Sequence, residues 1–144
     1  MNVMFDSNAY DKVLASKEDL ERIVACKKHK FYITDVQKME IANIPNAKKR
    51  SEIEEIYDLI HVELLYVPAV VGYAKIGTCI VAGKDDRYNK LVKPSRENVA
   101  DAIIGSTEAS KDSMVVVTND AGFLKRLSSM SIPVMNYEAF RLCL

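Results

Sequence analysis

The fold is decided by the stretch MVVVTND, residues 114–120, in which a β-branched run ends in three polar residues. β-Branched residues favour strands, and short polar residues commonly follow where a strand ends. A second short run, Asn2 to Phe5, is mainly apolar and leads to Asp6 in the same way. Longer helical patterns separate such runs, and this alternation predicts an α/β fold with a mostly parallel sheet.

The rest of the chain continues the alternation. Thr34 and Gln37 have the spacing of a capping box that opens a helix. The pattern predicts helices at 17–30, 34–43, 46–62, 96–110, 123–127 and from 137, with further strands at 31–34 and 133–135. The apolar stretch 64–83 suits a buried helix pair or an oligomer face, and 84–94 is typical of a polar loop.

Composition limits the classes of function. A chain of 144 residues and 16.2 kDa has the size of one domain, which we expect to span residues 1–144. Its 20 basic and 20 acidic residues cancel, so any contact with nucleic acid must be local or bridged by a metal. The three cysteines, Cys26, Cys79 and Cys143, lack the spacing of a zinc site or a disulfide framework.

The compartment is predicted from what the sequence lacks. The first residues have no basic segment followed by an apolar run, as a secretory signal requires. The longest uncharged apolar stretch, 64–74, is far shorter than the ~20 residues that cross a bilayer. We therefore expect a cytoplasmic protein without a membrane span.

Four acidic residues stand where helix or strand propensity alone does not explain them. Asp6 and Asp120 follow predicted strands, and ligands of an open parallel sheet bind at the carboxyl ends of its strands. Glu40 lies on an otherwise apolar helix line, and Asp101 is the lone charge in the run 99–104. Both are expected to be partly buried, and neither has a lysine or arginine at helical spacing.

A shared cation would offset the repulsion among these four carboxylates. Hard carboxylate oxygens suit Mg²⁺ or Mn²⁺, so the sequence predicts an acidic metal pocket. Such a pocket supports hydrolysis of a phosphodiester by a metal-activated water. Taken singly, Asp6 and Asp120 could be turn or cap residues, and Glu40 and Asp101 ordinary surface charges. The prediction depends on the set of four.

The order and spacing of four short motifs resemble a PIN domain, and in particular the ribonuclease toxins of bacterial toxin–antitoxin pairs. The motifs are VMFDSN at 3–8, the stretch 34–40, DAII at 101–104, and TND at 118–120 with Phe123. The resemblance implies a three-layer, Rossmann-like α/β/α sandwich with Asp6, Glu40, Asp101 and Asp120 around Mg²⁺ or Mn²⁺. It also implies metal-dependent cleavage of RNA and inhibition by an antitoxin protein.

The resemblance also assigns neighbours of the acids. It implies that Asn8 holds the first carboxylate by hydrogen bonds and that Thr118 orients a carboxylate or a water, with Asn119 beside them. Many members carry charged residues where this chain has Ala121 and Gly122, which leaves open whether one metal ion binds or two. We further expect a homodimer, formed through the apolar region 64–74, whereas 64–89 contains no motif that matches the family.

Two other classes of function remain open at this point. A receiver-like signalling module would have a second acid beside the first, but Ser7 follows Asp6, and no lysine stands where that class has one. An inactive PIN-like scaffold would bind RNA or protein without cleaving it. Acids at all four matched positions favour the enzyme.

Overall fold

The computed structural model describes residues 1–65 and 114–144. These residues form a five-stranded sheet flanked by helices. The strands are β1 Asn2–Phe5, β2 Lys30–Thr34, β3 Glu63–Leu65, β4 Met114–Val117 and β5 Val134–Met135. The helices are α1 Ser7–Ala15, α2 Lys17–Ala25, α3 Asp35–Ala42, α4 Ala47–Leu59, α5 Ala121–Ser129 and α6 Tyr137–Arg141.

All neighbouring strands are parallel, in the order β3-β2-β1-β4-β5. β1 therefore lies in the centre, with β2 on one side and β4 on the other. Val3 pairs with Val115 and Phe5 with Val117. Because the strands are parallel, their carboxyl ends meet at one edge of the sheet, which we call the carboxyl edge.

Alternating side chains divide the sheet between two cores. Val3 and Phe5 of β1 point to one face, where they pack with buried residues of α1, α2, α3, α4 and α6. Met4, between them, points to the other face and packs in a second core with Phe123 and Leu127 of α5. The sheet is thus covered on both sides. This confirms the predicted α/β sandwich with a parallel, Rossmann-like sheet.

Several predicted elements are confirmed, with changed ends. The capping box at Thr34 begins α3, and the predicted helix 46–62 is α4, capped by Asn46. The helix predicted over 17–30 is too long: α2 ends at Ala25 with Cys26 as its C-cap, and Lys30 already belongs to β2. The charged residues after Ala25 resemble those of the helix in type, but they form the turn that connects α2 to β2.

Two elements were not predicted. Helix α1 buries Ala9, Tyr10 and Val13, a short apolar stripe directly after β1. Strand β3 includes residues 64 and 65, which were expected to begin a helix pair or an oligomer face; only three residues long, it is too short to show an alternating pattern. The remainder of 64–83, the loop 84–94 and the helix 96–110 lie outside the described residues. Of the helices within 1–65 and 114–144, none is both long and apolar enough to cross a membrane.

Helix α3 is fastened to the end of β1 by Gln37. The Thr34 hydroxyl accepts a hydrogen bond from the Gln37 amide at 3.2 Å, and Gln37 Oε1 accepts one from the Thr34 amide at 2.9 Å. The Nε2 atom of the same side chain donates to the Phe5 carbonyl at 2.7 Å. Gln37 is 1% exposed, so these bonds are shielded from water. They fix the position of α3 relative to the residue that precedes Asp6.

We expect Gln37→Ala to lower the free energy of unfolding by about 2–3 kcal/mol, because it removes a capping box and leaves the buried Phe5 carbonyl without this donor. Urea unfolding measures the change. Lys38→Ala, an exposed change on the same helix, is the matched control and should stay within about 0.5 kcal/mol of wild type. Equal stability of the two variants would contradict the prediction.

Candidate active site

Two of the four predicted acids lie together at the carboxyl edge. Asp6 follows β1 and is the N-cap of α1, where its Oδ1 accepts a hydrogen bond from the Ser7 amide at 2.7 Å. Asp120 lies beyond β4 and caps α5 by accepting from the Phe123 amide at 2.7 Å. The simpler interpretation of both as caps is therefore confirmed. It does not exclude a ligand, because each carboxylate offers about four lone-pair positions.

Thr118 connects the two acids. Its side chain is fully buried, and its hydroxyl donates to Asp6 Oδ2 at 2.8 Å. The same hydroxyl oxygen accepts a hydrogen bond from the Asp120 amide at 3.0 Å. One hydroxyl group thus fixes both the orientation of the Asp6 carboxylate and the backbone at Asp120.

The carboxyl group of Asp6 is in an unfavourable electrostatic environment. Asp6 is 6% exposed, and burial is the main reason that its pKa is raised above the ordinary value of 3.8. The negative charge of Asp120 raises this pKa further, whereas the polar groups of Thr118, Ser7 and Asn8 lower it. No ion pair within the described residues involves Asp6 or Asp120. A cation at this edge would therefore relieve an existing repulsion.

Glu40 reaches the same edge from α3. Its Oε2 accepts a hydrogen bond from the Ser7 hydroxyl at 2.9 Å. Its negative charge also contributes to raising the pKa of the Tyr57 hydroxyl on α4, although burial of Tyr57 is the larger cause. Glu40 is exposed, so the expected partial burial was wrong. The buried stripe of α3 is formed by Val36, Gln37 and Ile41, and Glu40 lies beside it.

The two asparagines brace the backbone near the acids. Asn8 Oδ1 accepts a hydrogen bond from the Asn119 amide at 3.0 Å. Asn119 Oδ1 in turn accepts from the Tyr137 amide at the start of α6, at 3.3 Å. Gly122 lies close to this group: a Cβ atom there would be 3.1 Å from Asp120 Oδ1. A side chain at position 122 would crowd the Asp120 carboxylate.

The donor chemistry at the edge suits a hard cation, since Asp6, Asp120 and Glu40 offer carboxylate oxygens. The fourth predicted acid, Asp101, lies outside the described residues. Over 1–65 and 114–144, no three His, Cys, Asp or Glu side chains form a group that could hold a metal ion. The structure thus brings Asp6 and Asp120 together through Thr118 and ties Glu40 to Ser7.

Two residues of this arrangement were missed as site residues. Ser7 was considered only as a residue that is not an acid, and Gln37 only as part of a capping box. The sequence signal for Ser7 is a hydroxyl directly after the first acid. Its partner is 33 residues away, and nothing in the local pattern identifies that partner.

Comparison with known proteins adds no relative to this description. No protein-family model matches the chain, and no curated protein is significantly similar to it. Its function is therefore inferred from the residues at the carboxyl edge.

The raised pKa of Asp6 predicts a specific dependence of stability on pH. As the pH rises above the ordinary value of 3.8, the unfolded chain loses the Asp6 proton before the folded chain does. The folded state then holds more protons, so this group lowers the free energy of unfolding as pH rises. Asp6→Asn removes the effect, and its stability relative to wild type should increase as the pH rises above the ordinary pKa of 3.8.

Urea unfolding in the presence of a chelator, at several pH values, measures this difference. Asp58→Asn is the matched control, because it removes an exposed carboxyl group of α4. A stability difference between Asp6→Asn and wild type that stays constant or falls with pH would contradict the assignment.

Proposed function

We propose that the chain is a divalent-metal-dependent endoribonuclease that hydrolyses RNA phosphodiester bonds at the carboxyl edge, as the resemblance to PIN domains implies. The observation that supports this function most is the buried carboxylate of Asp6 beside the charge of Asp120. Among the described residues, no lysine, arginine or histidine forms an ion pair with either acid. Ligands of an open parallel sheet bind at this edge. Repulsion between carboxylates at the carboxyl edge favours the binding of a cation there.

Asp6, Glu40, Asp101 and Asp120 are the residues that would hold Mg²⁺ or Mn²⁺. When bound, the ion would neutralise charge on the phosphodiester and increase the acidity of the attacking water. This chemistry needs no protein nucleophile. It also suits a chain without net charge, because the attraction for RNA would be local.

The residues around the acids have separate tasks in this proposal. Thr118 donates to Asp6 Oδ2 and so holds that carboxylate in one orientation. Asp120 is exposed, which leaves its carboxylate accessible to a phosphodiester with its cation. Asn8 of α1 accepts from the Asn119 amide after β4, and Asn119 accepts from the Tyr137 amide of α6, so that the acids keep their spacing.

The toxin–antitoxin setting is proposed from the resemblance, whereas the cytoplasmic location and the dimer are proposed from the sequence. We place the protein in the cytoplasm as the toxin of a toxin–antitoxin pair, inhibited by a protein that covers the carboxyl edge. The proposed homodimer would form through the region 64–74, most of which lies outside the described residues.

We expect Asp6→Asn and Asp120→Asn each to lower the rate of RNA cleavage at least ~100-fold, because each replaces a charged oxygen ligand by a neutral amide. Cleavage of a labelled single-stranded RNA in Mn²⁺ measures the rate, and circular dichroism checks the fold. Asp58→Asn, which removes an exposed acid of α4, is the matched control and should retain activity. Cleavage by folded Asp6→Asn at the wild-type rate would refute the proposal.

Metal binding can be tested without RNA. Mn²⁺ at about 100 times its dissociation constant should raise the free energy of unfolding of wild type by about 2.7 kcal/mol. The same Mn²⁺ should stabilise Asp6→Asn much less, and excess chelator should reverse the stabilisation of wild type. Thermal unfolding at matched ionic strength, with Ca²⁺ and NaCl as comparisons, measures these shifts. Equal stabilisation of Asp6→Asn and wild type would show that Mn²⁺ binds elsewhere.

A further inference from the structure

Ser7 contacts two acids at once, with two different groups. Its backbone amide donates to Asp6 Oδ1 at 2.7 Å, and its side-chain hydroxyl donates to Glu40 Oε2 at 2.9 Å. The first contact is available to any residue at this position except proline. The second needs a hydroxyl, so only the second depends on the identity of the side chain.

We propose that Ser7 is a positioning residue, whose hydroxyl holds the exposed Glu40 carboxylate in the orientation in which it shares a divalent cation with Asp6. This inference rests on the proposed function, because it takes Glu40 as one of the metal ligands. It goes beyond that function because it assigns a role to Ser7, which is not one of the four predicted acids.

The position of Glu40 explains why such a tie matters. Asp6 is buried and held by Thr118 and by the amide of Ser7, so its orientation is fixed by the fold. Glu40 is exposed on α3, and an exposed glutamate loses side-chain entropy when it is held in one rotamer. The hydrogen bond from Ser7 orders the Glu40 side chain before the cation binds, so less side-chain entropy is lost on binding. Partners that orient metal-binding groups in this way commonly change metal affinity 10- to 100-fold.

The geometry also links the two acids through a single residue. Ser7 is the first residue of α1, and its amide is held by the side chain of the N-cap residue Asp6. Its hydroxyl belongs to the same residue and therefore lies close to the Asp6 carboxylate. α3 is itself fastened to β1 through Gln37 and the Phe5 carbonyl. Ser7 and Glu40 therefore meet from two helices that are both anchored at the end of β1.

Ser7→Ala tests the hydroxyl alone, because alanine keeps the amide that donates to Asp6. We expect it to weaken Mn²⁺ binding about 10-fold or more in the absence of RNA, measured by isothermal titration calorimetry. Ser7→Thr keeps a hydroxyl and should recover most of the loss. Ser51→Ala, an exposed serine on α4, is the matched control for the change of residue type. Without metal, the urea midpoint of Ser7→Ala should remain close to that of Ser51→Ala.

A double-mutant cycle with Glu40→Ala tests whether Ser7 acts through Glu40. In the Glu40→Ala background, Ser7→Ala should change Mn²⁺ affinity by less than about twofold, because the group that the hydroxyl positions is gone. A merely structural role for Ser7 would instead weaken binding equally in both backgrounds. That additive result would overturn the proposed positioning.

The possible failures can be distinguished. If wild type binds Mn²⁺ and Ser7→Ala binds it equally well, the role of Ser7 is refuted and the proposed metal site stands. If Ser7→Thr binds as weakly as Ser7→Ala, the hydroxyl is not the group that matters, and the role is also refuted. If wild type itself binds no Mn²⁺, both the proposed function and the role of Ser7 are wrong.

Discussion

Parallel pairing of β1 with β4 is the constraint on which the carboxyl edge depends. Phe5 lies in register with Val117, and the amide of Asp6 donates to the Val117 carbonyl at 2.9 Å. This pairing brings Thr118 to Asp6, although the two residues are 112 positions apart. A slip of one residue would turn each β1 side chain to the opposite face of the sheet and move Asp6 out of reach of Thr118. The packing of two cores thus determines the geometry of the acids.

The buried carboxylate of Asp6 is an unfavourable element that the fold retains. Burial and the charge of Asp120 both disfavour its ionised form. The hydrogen bonds from Thr118 and Ser7 offset part of this cost, but a neutral side chain could cap α1 at a lower cost. Proteins commonly accept such a loss of stability where a site requires it. A cation at the carboxyl edge would pair with this charge and offset the free-energy cost of burying it.

The sequence predicted those features that depend on local pattern. The strand before Asp120, the capping box at Thr34 and the helix after Asn46 each have a signal within a few residues, and the structure contains all three. The meeting of Asp6 and Asp120 followed from one further rule, that parallel strands end at a common edge. Contacts between distant residues had no comparable signal. The hydrogen bond from Ser7 to Glu40 depends on how α1 and α3 pack.

Two features of the structure have too weak a local signal to be predicted correctly. α1 begins immediately after β1, and its stripe of Ala9, Tyr10 and Val13 is too short to stand out as a helical period. Glu40 follows Val36 by one helical turn, which suggested partial burial. Burial on α3 depends instead on which side faces the sheet, and Val36, Gln37 and Ile41 form that side. A periodic pattern shows that a helix has an apolar side but not how far that side extends.

Helix α3 joins the stability of the fold to the geometry of the edge. Gln37 and Glu40 are three residues apart, so they lie on neighbouring positions of one helix surface. Gln37 fastens this surface to the carbonyl that precedes Asp6, and Glu40 meets the residue that follows Asp6. Asp6 is therefore flanked on both sides by contacts with α3. Any shift of this helix along β1 would move Glu40 relative to Asp6 even if every strand kept its register, because Glu40 belongs to α3 and moves with it. The spacing of the acids depends on two constraints, the register of β1 with β4 and the anchoring of α3, and either one can change while the other is kept.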